Sequence, residues 1–326
     1  MREVIFSKKN KDKWLAYEER LQQNNTINPE ELTIIYLDLT DDLSYALTYY
    51  PDSRLTAYLN ELAGMAHRKI YKTKKESGSA ILRFYLKEFP LMFYNYRKYL
   101  LWSFLAFALF TLIGIYSTSQ NTDFARWIMG NAYVDMTLEN IDKGDPMAVY
   151  KQANEVDMFL GITINNIKVA LFTFMMGLLF GLGTLYYLMR NAIMLGAFQY
   201  FFYEHGVFWE SIRTIWIHGT IEISVIIVAG AAGFIMASGI LMPGTYPRSY
   251  AFKQKARDGL KVMISTIPFF IIAGFLEGFV TRHTEMPDWL AIMIILSSLA
   301  LIIFYYVILP KKLYLQQKQV DYEKNI

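Results

Sequence analysis

Residues 212–241 read IRTIWIHGTIEISVIIVAGAAGFIMASGIL, with Arg213, His218 and Glu222 as the only ionisable side chains. A helix crosses bilayer hydrocarbon with about 20 such residues, so this stretch reads as a membrane span. Apolar runs of similar length recur at 99–117, 167–189, 262–280 and 289–309. A weaker run, 192–208 (AIMLGAFQYFFYEHGVF), is short and carries Gln199, Glu204 and His205. The whole chain is 326 residues, 54% hydrophobic and 19% charged. A soluble chain holds about a quarter charged residues, so charge is scarce here. With zero cysteines, disulfides, thiol nucleophiles, iron–sulfur clusters and cysteine-based zinc sites are excluded. A net charge of +3 is too small to point to nucleic acid.

The basic residues predict an orientation. Residues 1–98 hold 16 of the 32 Lys and Arg, and 243–261 adds Arg248, Lys253, Lys255, Arg257 and Lys261. Residues 118–163 hold three basic against seven acidic residues. The N-terminus, the basic loop and the C-terminus are therefore expected on the cytoplasmic side of the cell (inner) membrane. That requires an even number of crossings, so 192–208 is read as a short third span in a six-helix, all-α bundle. The N-terminal residues show no uninterrupted apolar stretch of signal-peptide type, which leaves the first span as the insertion signal.

Outside the spans, residues 1–80 read as a cytoplasmic helical hairpin. Asn28-Pro29-Glu30-Glu31 is a helix start, with a cap, a first-turn proline and two acids facing the dipole. Leu32, Ile35, Tyr36, Leu39, Leu43 and Ala46 form one stripe, and a further helix runs through Leu55, Tyr58, Leu59, Leu62 and His67. A lone His67 on such a stripe reads as a packing residue. Residues 72–79 form a polar hinge. Residues 81–98 suit an amphipathic helix lying in the interface, either a plain linker or an elbow through which a cytoplasmic partner acts. Residues 118–163 are expected to lie over the outer face as short helices, and 311–326 form a cytoplasmic tail. The acids of 118–163 lack the calcium-loop pattern.

Ionisable residues inside spans are costly and normally face a bundle interior or a cavity. His218 and Glu222 stand four residues apart on one face of the 212–241 helix, about 9 Å and 15 Å below its outer end. Glu277 lies about 5 Å below the outer end of its helix, and Asn165 and Asn166 sit near the mouth of 167–189. These five residues are expected to converge on one outward-opening polar pocket. Three chemistries fit His218, Glu222 and Glu277: proton relay or substrate coupling, a divalent metal such as zinc, or a structural hydrogen-bonded cluster. Small residues at Gly177, Gly181, Gly183, Gly230 and Gly233 are expected to let helices approach. No Walker motif, Ser–His–Asp set or H-E-x-x-H pair is present, so any ATPase is a separate chain.

An ordered set of motifs resembles the stage II sporulation protein M family. They are Asn165-Asn166-Ile-Lys-Val-Ala170, Gly181-Leu-Gly183-Thr184-Leu-Tyr186, Arg190-Asn191-Ala-Ile-Met-Leu-Gly196, His218-Gly219-x-x-Glu222 with Ala229-Gly230, and Gly274-Phe-Leu-Glu277-Gly-Phe-Val-Thr281. Tyr58-Leu59-Asn60 and Ala66-His67-x-x-Ile70-Tyr71 resemble the helical leader of the family's non-sporulation branch. The chain departs at Ala192, where the family often has Gly, and at Ser224, where Pro is frequent. The resemblance implies an integral envelope membrane protein and carries over no catalytic chemistry. Two function classes follow. One is a non-enzymatic transport-permease-like subunit or envelope-complex scaffold, with a cytoplasmic ATPase, other envelope proteins or a second copy as partners. The other is an intramembrane metal-dependent enzyme built on His218, Glu222 and Glu277.

Overall fold

The computed structural model describes residues 3–22, 27–70, 79–151, 154–283 and 286–323. Every element among them is helical, and they fall into two compact units, Met1–Ala80 and Ile81–Ile326. The hinge expected at 72–79 falls almost wholly outside the described residues.

The first unit has three helices, α1 (Glu3–Gln22), α2 (Pro29–Tyr49) and α3 (Arg54–Ile70), the third following the turn at Pro51-Asp52-Ser53. The Asn28 side chain accepts from the Glu30 amide at 3.1 Å, capping α2 as its sequence requires. Leu32, Ile35, Leu39 and Ala46 of α2 meet Leu59, Leu62 and Ala66 of α3. Phe6, Trp14 and Leu21 of α1 complete that core. Polar rims tie it down: Trp14 Nε1 donates to Asp42 at 2.8 Å, Tyr17 to Asp38 at 2.7 Å and Tyr58 to Glu18 at 2.8 Å. His67 is exposed, with its ring 6.0 Å from that of Tyr36.

The second unit opens within α4 (Ser79–Arg83), followed by a π turn at Phe84–Glu88 and α5 (Phe89–Tyr94). The apolar face of this bent segment packs on protein. Phe89 and Phe93 are fully buried against Tyr305 and Tyr306, and Tyr305 donates to the Tyr85 carbonyl at 3.0 Å.

Next come α6 (Arg97–Gln120), α7 (Asp123–Met129), α8 (Asn131–Asp142), α9 (Glu155–Met175), α10 (Leu182–Glu204), α11 (Phe208–Leu241), α12 (Arg248–Phe275), α13 (Asp288–Ile303) and α14 (Leu309–Glu323). A 3₁₀ turn extends α9 to Leu178, and π turns follow α12 and α13. Five helical stretches are long and apolar enough to cross a membrane: Arg97–Gln120, Glu155–Leu178, Phe208–Leu241, Arg248–Val280 and Asp288–Tyr322. The 23-residue α10 is long enough but is interrupted by Arg190, Asn191 and Gln199, and it does not join those five.

Several expected boundaries are corrected. The run 167–189 is two helices, because the chain turns at residues 179–181, where Phe180 (φ 55) and Gly181 (φ 82) both take left-handed backbone. Glycine does so freely, whereas a bulky residue is strained there. The helix before the turn therefore starts twelve residues earlier than expected, at Glu155, capped by the Asn154 side chain. The segment over the bundle end stops there rather than at 163. The weak run 192–208 is displaced to 182–204. Most of the basic loop 243–261 is helical too, since α12 begins at Arg248.

Helix α11 is the spine of this unit: 78% of its most apolar stretch is buried, against 17% for α6. In lipid, helices associate by close packing rather than by the hydrophobic effect, so small residues matter most. A methyl built on Gly177 would sit inside the Gly233 carbonyl, and one on Gly233 would overlap the Thr184 hydroxyl. Gly230 abuts Ser103 and Leu188, and Ser103 donates to the Ile227 carbonyl at 2.7 Å. Gly181, in the turn itself, still packs closely on Ala237 and Phe234 of α11, and Gly183 flanks the turn. Gly183 lies against the Met176 carbonyl across it. The outer surface of α6 carries exposed Leu101, Trp102, Leu105, Leu109 and Leu112, which suits lipid as solvent. At one end of the bundle, Lys255 donates to the Tyr96 hydroxyl, which in turn donates to Asp258. We call this the basic end; α7 and α8 cap the other.

Candidate functional site

His218, Glu222 and Glu277 meet near the capped end. Helix α11 presents His218 and Glu222 on successive turns, about 15 Å and 21 Å along from Phe208, deeper than a start at 212 implied. Glu277 belongs to the π turn Leu276–Val280 that ends α12. Such a turn adds a residue to the helical ring and re-aims its side chains, a device common at functional sites. Gly274 and Gly278 flank Glu277, and each lets α9 approach closely, Gly274 at Thr163 and Gly278 at the Glu155 carbonyl. Asn165 and Asn166 come from α9.

The ligand atoms of His218, Glu222 and Glu277 all lie within 4.8 Å of one another. His218 Nε2 stands 3.7 Å from Glu277 Oε2, beyond hydrogen-bond length. On its other edge, His218 Nδ1 is hydrogen-bonded to the Thr281 hydroxyl at 3.0 Å. Asn166 lines the same pocket wall as Glu222. His218 and Asn166 are buried; Glu222 and Glu277 are partly so.

These groups line a pocket of about 610 Å³. Its walls come from α6 (Phe107), α9 (Ile162, Asn165, Asn166), α10 (Asn191, Met194, Phe198), α11 and Glu277, with Ile128, Met129 and Tyr133 of the cap beside it. All five residues expected from sequence to converge are on this wall. Two more belong to the site and were not read as such: Asn191, which lines it, and Thr281, which orients His218. A signal existed for Thr281, since it stands four residues after Glu277, but only the π turn sets its partner.

The charge pattern is one-sided. No Lys or Arg is among the described residues that line the pocket. The nearby arginines are engaged elsewhere, Arg213 with Asp288 at 3.2 Å and Arg282 with Glu155 at 3.0 Å. Carboxylates in a low-dielectric bundle need protons or a cation to balance them. The arrangement can exchange protons, coordinate a metal ion, or receive a cationic group of a solute among amide dipoles.

The family model for Stage II sporulation protein M matches residues 103–282, a range that contains every residue lining this pocket. A second model, a Domain of unknown function (DUF8413), matches residues 4–72. No curated protein and no solved structure matches the chain.

Proposed function

The chain belongs to the stage II sporulation protein M family, and from that premise we propose that it is a non-enzymatic, transport-permease-like subunit of the cell membrane. In this reading α10 is the sixth crossing, the basic end faces the cytoplasm, and the pocket opens to the outer side. The observation that carries it is the pocket itself: an imidazole, two carboxylates and three amides, without a lining Lys or Arg, inside an apolar bundle. Such a site favours positive charge over negative, because an anionic guest would add to the charge of the carboxylates. The bent α4–α5 segment, anchored on Tyr305 and Tyr306, is where a cytoplasmic ATPase would push.

Flux of protons and of divalent cations into proteoliposomes, read by entrapped dyes, tests this reading. Wild-type flux that falls at least tenfold in Glu222→Gln and in Glu277→Gln supports it. Absence of flux, or flux indifferent to both changes, removes it in favour of an envelope-complex scaffold.

A further inference from the structure

The pocket's ligand can be named more closely. We propose that His218, Glu222 and Glu277 bind a single divalent transition-metal ion of the zinc or manganese class, which is the cationic guest of the site. The assignment deepens the reading of the pocket as a cation site and rests on it.

Four observations support it. First, stoichiometry of charge: two carboxylates are balanced by one divalent ion, and no lining Lys or Arg competes. Second, spacing. Ligand atoms about 2 Å from a tetrahedral ion stand about 3.3 Å apart, and the three side chains offer atoms within 4.8 Å, with one pair at 3.7 Å. Small rotations of the two glutamates close the remainder.

Third, the imidazole is held as metal ligands are held. Nδ1 is hydrogen-bonded to the Thr281 hydroxyl, and in the tautomer that donates there Nε2 turns its lone pair toward Glu277. Fourth, Asn166 lines the same wall as Glu222 and offers an amide to a ligating carboxylate there, as the outer partners of metal ligands do. One imidazole nitrogen with two carboxylates favours first-row transition metals over Mg²⁺ or Ca²⁺, which prefer all-oxygen shells. Three protein ligands leave a position open to water or to a second group, facing a cavity of about 610 Å³.

The test is a binding titration of the purified full chain in detergent, with Zn²⁺ and separately Mn²⁺ competed against a chromophoric chelator. Expected are one equivalent per chain and at least about 100-fold weaker binding in His218→Gln and in Glu277→Gln. Thr281→Val, which keeps every ligand, is expected to weaken binding about 10- to 100-fold. Visible absorption of Co²⁺ in the site, present in wild type and altered by Glu222→Gln, reports ligation that packing alone cannot produce. A monodisperse wild-type chain that takes up neither metal overturns the proposal, and so does affinity unchanged in Glu277→Gln. Should His218→Gln lose monodispersity, Thr281→Val and Glu222→Gln decide in its place. Failure here beside proton flux that still needs Glu222 removes the metal and leaves the cation site standing. Metal binding without any flux removes transport and leaves the metal.

Discussion

The two units of this chain hold carboxylates in opposite ways. In Met1–Ala80, Asp38, Asp42 and Glu18 stand at the rim of a three-helix core, each accepting from a tyrosine or tryptophan while in reach of water. In the membrane unit, Glu222 and Glu277 sit inside the bundle with an imidazole and an amide, and no Lys or Arg shares their pocket. A rim carboxylate costs little to keep, but one in hydrocarbon costs several kcal/mol unless something balances it. The first set is explained by the fold it stabilises. The second set asks for a guest, and that contrast is the basis of the cation-site reading.

The same contrast governs glycine, and there the expected effects are largest. Gly233→Val would drive a branched side chain into Thr184 and the Thr173 carbonyl, where backbone cannot yield. The loss exceeds the about 1–3 kcal/mol of ordinary overpacking, and no monodisperse protein is expected from detergent extraction. Recovery of a folded Gly233→Val chain would break the picture of α11 as a tightly packed spine. In the first unit, by contrast, Gly64 meets only the flexible end of Arg68 at 3.4 Å. Gly64→Ala should stabilise α3 by about 0.5–1 kcal/mol, read as a higher melting temperature.

Next in size is Trp14→Ala, which empties the centre of the first core and removes a hydrogen bond to Asp42, leaving that carboxylate to Lys13. It should cost about 3–5 kcal/mol in chemical denaturation. Glu222→Gln removes a carboxylate of the same volume scale and should leave thermal stability unchanged or raised, while abolishing the pocket's function. A large loss of stability would instead make Glu222 a rim-type structural acid, like those of the first unit.

Sequence and structure part company at residues 179–181. The fold class follows from 212–241 alone, because thirty residues so poor in charge have few other solutions. The turn inside 167–189 was hidden because it contains no charge and no proline. Its chemistry is one glycine and a phenylalanine forced into left-handed backbone by the helices it joins. The single hint was Gly181-Leu-Gly183, which also suits close packing. Missing that turn displaced both flanking helices by ten residues or more. The site residues survived the error because their legibility rests on cost: an ionisable group in an apolar run stands out wherever the run ends. Asn191 and Thr281 did not stand out, since uncharged polar residues in spans commonly bond their own backbone, as Asn191 does to the Tyr187 carbonyl at 2.8 Å.

Two smaller effects sharpen the comparison. Phe180→Gly relieves the left-handed strain and should stabilise the membrane unit by up to about 1 kcal/mol. In the first unit, burial and then Asp38 push the Tyr17 phenol up to about 12, and burial and then Glu18 do the same for Tyr58. Their folded values lie above the usual phenol value of about 10, so their stabilisation is complete below that pH and is lost as pH climbs toward 12. Alkaline unfolding of this unit followed by circular dichroism should show that window, and Tyr17→Phe with Tyr58→Phe should flatten it.

The central claim is a polar pocket inside the membrane that is reached from the side opposite the basic end. The chain has zero cysteines, so single-cysteine labelling reads this without background. In intact cells, Asn165→Cys should react with a membrane-impermeant maleimide, and Lys253→Cys should react only after the membrane is permeabilised. Labelling of Lys253→Cys from outside, with Asn165→Cys protected until permeabilisation, would contradict the account.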